Sequence, residues 1–159
     1  MLLKQALASP LWQGNKFSAR LPGTEWELDK LHSMCTQAVF GMGTETVYGP
    51  CYRSASALTE YSFDMNFDPG DHRILEQIGQ TLGFQGVFAE QDKLNLYRRG
   101  DFFKTHVDIP AEPSTNGAMF GTLVLCLPSW HMGGELAISH GPLKASTDWA
   151  EASADNAVQ

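Results

Sequence analysis

The chain of 159 residues contains 43% hydrophobic and 18% charged residues, a balance typical of one packed domain and not of a disordered chain. Its 18 acidic residues outnumber its 11 basic residues and give a net charge of −7. Proteins that bind nucleic acid backbones usually concentrate Lys and Arg on one face. The composition therefore does not favour nucleic acid as a partner.

The sequence has no apolar run of about 20 residues, the length that spans a bilayer, and Lys4 and Gln5 interrupt the first apolar residues. We therefore expect no signal peptide, no membrane association and an intracellular location, cytoplasmic or nuclear. The cysteines Cys35, Cys51 and Cys126 are odd in number and have no CxxC spacing. This pattern argues against a disulfide framework or a Cys-based zinc site and favours reduced thiols.

Two helices are predicted after an extended lead-in over residues 1–23. The first covers residues 24–38, where Thr24 can serve as the N-cap and apolar residues recur every three or four positions. Its apolar stripe is Leu28, Leu31, Cys35 and Ala38. The second is predicted to begin with Asp68 as N-cap and Pro69 at its first position, and to end at Gly83. Its stripe is Ile74, Leu75, Ile78 and Leu82.

Short strands are predicted between and after the helices. Gly and Pro residues punctuate residues 39–70 and leave room for strands near 45–48 and 61–67. Over residues 93–98 the hydrophobic period changes to two, with Leu94 and Leu96 on one face. Lys93, Asn95 and Tyr97 lie on the other face. Further strands are predicted at 121–127 and 135–139, and this order favours helices packed on a β-sandwich or barrel.

The strongest candidate for chemistry is His106-Val107-Asp108. Because residues i and i+2 of a strand point to the same face, the imidazole and the carboxylate would converge on one point. Two histidines and one carboxylate on one face are typical of non-haem iron(II) sites with open coordination positions. An isolated His-x-Asp is more often a surface ion pair, so the motif needs its structural context.

Ordered blocks of sequence surround this motif. They are AVFGMG at 38–43, FDMNF at 63–67, LNLY at 94–97, Gly100, FFKTHVD at 102–108, FGTLVLCLP at 120–128, His131, GGEL at 133–136 and His140-Gly141. Together they resemble the iron(II)/2-oxoglutarate dioxygenases, and more narrowly the prolyl 4-hydroxylase-like oxygenase domains common in fungal proteins. The resemblance covers residues 38 to about 149.

The resemblance implies an α+β, mainly β fold. We expect a double-stranded β-helix, or jelly roll, incomplete at the C-terminus, with two N-terminal helices packed outside. Residues 1–37 would form the lead-in and first helix, and residues 38–159 a partial dioxygenase domain.

The resemblance also implies a site and an activity. His106 and Asp108 match the first two iron ligands, and Tyr97 matches a tyrosine that contacts 2-oxoglutarate. The implied reaction hydroxylates an unidentified peptide or small-molecule substrate and converts 2-oxoglutarate to succinate. Iron(II) and 2-oxoglutarate are the implied cofactors, and ascorbate can serve as the reductant.

The sequence departs from the family pattern after Asp148-Trp149. The family's third ligand is a histidine on a later strand, followed by an Arg or Lys that binds 2-oxoglutarate, whereas no histidine follows His140 and no basic residue follows Lys144. We therefore expect a fragment with little activity alone and with an exposed apolar edge. The alternative is a non-catalytic jelly-roll relic or binding module. His140 and His131 are candidates for a substitute third ligand. The alternative is that both are ordinary loop or strand-end histidines.

Overall fold

The computed structural model describes residues 2–4, 18–21, 23–42, 45–107 and 119–150. In this part of the chain the fold is mostly β, with two helices and several small antiparallel sheets. The expected mainly β architecture with two helices is thus confirmed. None of these sheets closes into a barrel within the described ranges, so the finer expectation of a jelly roll stays a prediction.

The helices are α1 (Glu25–Met34) and α2 (Ile74–Leu82). The strands are β1 (Leu2–Lys4), β2 (Ser18–Arg20), β3 (Thr36–Gln37), β4 (Phe40–Met42), β5 (Glu45–Val47), β6 (Arg53–Ser54), β7 (Ser56–Thr59), β8 (Asp64–Met65), β9 (Lys93–Leu96), β10 (Phe102–Phe103), β11 (Leu136–His140) and β12 (Leu143–Thr147). The sheets have the strand orders β2-β1-β8, β3-β7-β9, β10-β6, β4-β5 and β11-β12. Neither α1 nor α2 is long and apolar enough to cross a membrane.

Helix α1 begins where the sequence predicts it to begin. The Thr24 side chain accepts a hydrogen bond from Glu27 N (3.3 Å), and Glu27 Oε2 accepts one from Thr24 N (2.9 Å). This reciprocal pair is a capping box, which satisfies two backbone donors at the helix start. The helix ends at Met34, earlier than predicted, because Cys35 is extended (φ −77°, ψ 152°) and the next two residues pair with β7.

Helix α2 ends at Gly83, as predicted, but the predicted start at Asp68 and Pro69 is wrong. Asp68 Oδ1 instead accepts a hydrogen bond from Gly70 N (2.7 Å), an Asx turn that competes with helix initiation. Arg73 then adopts a left-handed conformation (φ 59°) immediately before the helix. A left-handed residue cannot continue an α-helix, so α2 starts only at Ile74.

The core lies between α1 and the β3-β7-β9 sheet. Its buried residues are Leu21, Leu31, Leu58, Phe63 and Leu94. Leu94 is buried and Asn95 is exposed, which confirms the predicted alternation along β9. Residues from both sides of the expected 37/38 boundary contribute to this cluster.

The other predicted strands have different outcomes. Those at 45–48 and 135–139 form as β5 and β11, whereas only Asp64–Met65 is a strand within 61–67. The predicted strand at 121–127 is wrong for the described structure, because the segment pairs with none of the described strands. A strand needs a neighbouring strand for its ladder of hydrogen bonds.

Apolar side chains are exposed along this segment and along the β11–β12 hairpin. Val124 is 52% exposed and Leu143 is 70% exposed. These exposures agree with the expected apolar edge. A face of this kind is a site of self-association unless another part of a protein covers it.

We expect Thr24→Ala to lower the free energy of unfolding by about 1 kcal/mol, because the capping box is lost. Urea denaturation followed by circular dichroism measures the change. Ser33→Ala, on the same helix, is the control, since the exposed Ser33 hydroxyl donates to Lys30 O (2.7 Å) within the helix and an exposed substitution usually changes stability by less than about 0.5 kcal/mol. Equal effects of both variants would contradict the capping role.

Candidate functional site

A tight turn connects β9 to β10 and leads the chain towards His106. The Asp101 carboxylate accepts hydrogen bonds from Arg98 N (2.8 Å) and Ser54 Oγ (2.6 Å). Gly100 lies in the turn with φ 87°, a conformation that glycine adopts without steric cost. These bonds fix the turn against β6, so that Phe102 and Phe103 pair with Ser54 and Arg53.

A ring contact and a hydrogen bond orient the imidazole of His106. Its ring stacks on Phe103, with centroids 3.6 Å apart and planes inclined by 19°. Its Nδ1 lies 2.9 Å from Lys104 O. Because a carbonyl oxygen can only accept, Nδ1 must carry the hydrogen, and Nε2 of the neutral ring then carries the lone pair.

Arg53 of β6 holds the Phe103 ring in place. The Arg53 guanidinium lies 4.3 Å from the centroid of the Phe103 ring, a cation–π contact. Arg53 is only 6% exposed, and its guanidinium donates to Val39 O (2.6 Å) and Asn95 Oδ1 (2.7 Å). No carboxylate within the described ranges forms an ion pair with Arg53, so the support beneath Phe103 is a buried cation bound by neutral oxygens.

Tyr97, the predicted 2-oxoglutarate contact, follows β9 by one residue. Continued alternation assigns it to the same side of the strand as Asn95, which contacts Arg53. Tyr97 is 46% exposed, so a small molecule can reach it. Its role as a cosubstrate contact stays a prediction.

Asp108, the predicted carboxylate ligand, lies outside the described residues. Within the described ranges no three His, Cys, Asp or Glu residues lie close enough together to hold a metal ion. His131 Nδ1 lies 3.0 Å from Ser129 O, and His140 ends β11 opposite Leu143. Neither candidate substitute ligand therefore joins a group of three donors in this part of the chain.

The sequence interpretation missed Tyr52, Arg53 and Phe103 as supports of the site. Phe103 was recognised only as part of a block of sequence, and Tyr52 and Arg53 lie in a Gly- and Pro-punctuated region without a motif. Their role depends on the pairing of β6 with β10, which joins residues about fifty positions apart. Local pattern does not predict such a pairing.

Comparisons with protein-family models, with curated proteins and with solved structures found no match. Support for the site comes from the sequence blocks around His106 and from the hydrogen bond and ring contact that orient its imidazole.

Cys35, Cys51 and Cys126 are free thiols. Cys35 follows α1 and packs against the core, and burial raises the pKa of its thiol. Cys51 and Cys126 are exposed. Because the thiolate is the nucleophile, a raised pKa lowers the reactive fraction at a given pH.

We expect iodoacetamide at pH 8 to alkylate Cys51 and Cys126 several-fold faster than Cys35. The rate at Cys35 should rise as the pH rises towards its raised pKa, since more thiolate forms. Mass spectrometry of timed samples measures each rate, and denaturation in urea should bring the three rates together. Cys35 reacting as fast as Cys51 in the folded protein would contradict the effect of burial.

Proposed function

We propose that this chain contributes to the iron(II) site of a 2-oxoglutarate-dependent dioxygenase, with His106 and Asp108 as metal ligands. The observation that carries the proposal is the hydrogen bond between His106 Nδ1 and Lys104 O (2.9 Å). Histidines that bind metals almost always donate their second ring N–H to a carbonyl or carboxylate oxygen. The same bond leaves the Nε2 lone pair as the one that can coordinate a metal.

The chemistry of these donors suits iron(II). His106 offers an imidazole in an exposed turn, and Asp108 would add an anionic oxygen two residues later. An imidazole and a carboxylate are two of the three side chains of the non-haem iron triad. The third is not identified among the described residues, so we expect weaker iron binding by this chain than by a complete triad.

We further propose that the described sheets belong to a jelly roll. The blocks at 94–108 and 120–141 follow the order seen in the oxygenase family that the sequence resembles. The β11–β12 hairpin is exposed along nearly its whole length. An isolated two-stranded hairpin is at best marginally stable in water, which supports an arrangement in which further strands cover it.

Iron(II), when bound with 2-oxoglutarate and dioxygen, supplies the oxidising chemistry that converts a substrate C–H to C–OH and releases succinate and carbon dioxide. The residues of this chain bind and orient. His106 would present Nε2 in a fixed direction, Asp108 would balance positive charge, and the Tyr97 hydroxyl would donate a hydrogen bond to a carboxylate of 2-oxoglutarate. Ascorbate would serve as the reductant, and the substrate would be a peptide or a small molecule.

One observation favours the alternative of a non-catalytic jelly-roll binding module. No histidine follows His140 in the sequence as a counterpart of the third ligand of the resembled family, and a site with open positions needs three ligands to fix the metal on one face. In this case His106 would still be oriented by Lys104 and Phe103, but no turnover would follow.

We expect the purified chain to bind Co²⁺, a spectroscopic substitute for iron(II), and His106→Ala to lose this binding. Loss of an outer-shell partner alone costs about 10–100-fold in metal affinity, so loss of a ligand should cost at least as much. Titration followed by visible absorption measures the affinity. His72→Ala is the matched control, because the His72 ring stacks on Phe67 and not on the candidate site.

Equal Co²⁺ affinities of the unmodified chain and His106→Ala would refute the metal site. Succinate release with iron(II), 2-oxoglutarate and ascorbate then separates the two proposed functions. We expect little turnover, and any turnover should disappear in His106→Ala. Metal binding without succinate above the His106→Ala background would favour the binding module.

A further inference from the structure

We infer that Tyr52 is a positioning residue for His106, which selects the imidazole tautomer by fixing the peptide units of Lys104 and Thr105. The inference rests on the proposed function in one respect: the selected tautomer is useful because it leaves the Nε2 lone pair able to bind a metal. Its test does not depend on a metal, since the tautomer can be measured in the metal-free chain.

Tyr52 binds two successive residues of the turn that carries His106. Its carbonyl oxygen accepts a hydrogen bond from Lys104 N (3.0 Å). Its hydroxyl donates to Thr105 O (2.6 Å). The carbonyl between these two points, Lys104 O, is the one that accepts from His106 Nδ1 (2.9 Å). Tyr52 therefore holds the chain on both sides of the acceptor that sets the tautomer.

The Tyr52 ring also contacts the aromatic support of the imidazole. Its centroid lies 6.1 Å from that of Phe103 at an interplanar angle of 79°, and 4.7 Å from that of Phe40. Edge-to-face pairs at such distances are favourable. One half-buried side chain thus contacts Phe103, on which His106 stacks, and Thr105, which precedes it.

Tyr52 is fixed independently of the turn that it holds. Its backbone N donates to Gly49 O (2.8 Å), as does the backbone N of Arg53 (2.9 Å). Arg53 is buried and binds the Phe103 ring. Residues 104–107, by contrast, are all exposed. β6 and the turn before it therefore hold the exposed turn that carries His106, and not the reverse.

The hydrogen bond of the Tyr52 hydroxyl matters because the tautomer of a neutral imidazole is set by the hydrogen bond that one of its nitrogens makes. Without the bond to Thr105 O, the 104–106 turn loses one of its fixed points, and Lys104 O is no longer held in line with Nδ1. The hydrogen can then shift to Nε2, which removes the lone pair that the proposed metal site requires.

The test is Tyr52→Phe, which removes the hydroxyl and keeps the ring. Long-range ¹H–¹⁵N correlation spectra of the metal-free chain at pH 9 report the fraction of His106 that carries its hydrogen on Nδ1. We expect Nδ1–H to predominate in the unmodified chain and to fall by half or more in Tyr52→Phe. Tyr61→Phe is the matched control, because Tyr61 is 71% exposed, and it should leave the fraction unchanged.

Circular dichroism and the thermal midpoint verify that both variants are folded. An unchanged tautomer fraction in folded Tyr52→Phe, or an equal fall in Tyr61→Phe, would overturn the inference. Co²⁺ affinity gives a second readout, and we expect a loss of about tenfold in Tyr52→Phe alone, as for other outer-shell partners. Failure of the unmodified chain to bind Co²⁺ would refute the proposed metal site, while the tautomer result would still decide the role of Tyr52.

Discussion

The antiparallel pairing of β7 with β9 is the contact on which the described structure depends. In its register Leu58 lies opposite Leu94 and Ala57 opposite Asn95. One face of the pair contributes Leu58 and Leu94 to the core against α1, while Asn95 binds the Arg53 guanidinium. A slip of one residue would exchange the two faces, so the same register that closes the core also supports Arg53, Phe103 and finally His106.

The features that the sequence predicts correctly are those with local causes. The start of α1 follows from Thr24 and Glu27, three residues apart, and the end of α2 from Gly83. The predicted start of α2 is wrong because Asp68 forms an Asx turn with Gly70. At the site, the pattern identified His106 as a candidate, but its tautomer and its support by Tyr52 and Phe103 depend on contacts distant in sequence, which periodicity does not encode.

Both proposed functions include the oriented His106, and they differ in whether further ligands complete a metal site around it. A preorganised imidazole is useful to a metal site, since ligand geometry held before binding lowers the cost of binding. A binding module would gain less from a fixed tautomer on an exposed side chain. The orientation of His106 is therefore the feature that supports the proposed dioxygenase.

The hairpin of β11 and β12 has a consequence for folding. Its strands are neighbours in the sequence, joined by Gly141-Pro142, so it can form by local closure in about 1–10 μs. The β7–β9 pair joins residues far apart in the chain and must close a longer loop. The exposed hairpin should accordingly open and close as an independent cooperative unit, and its opening would leave the packing beneath His106 intact.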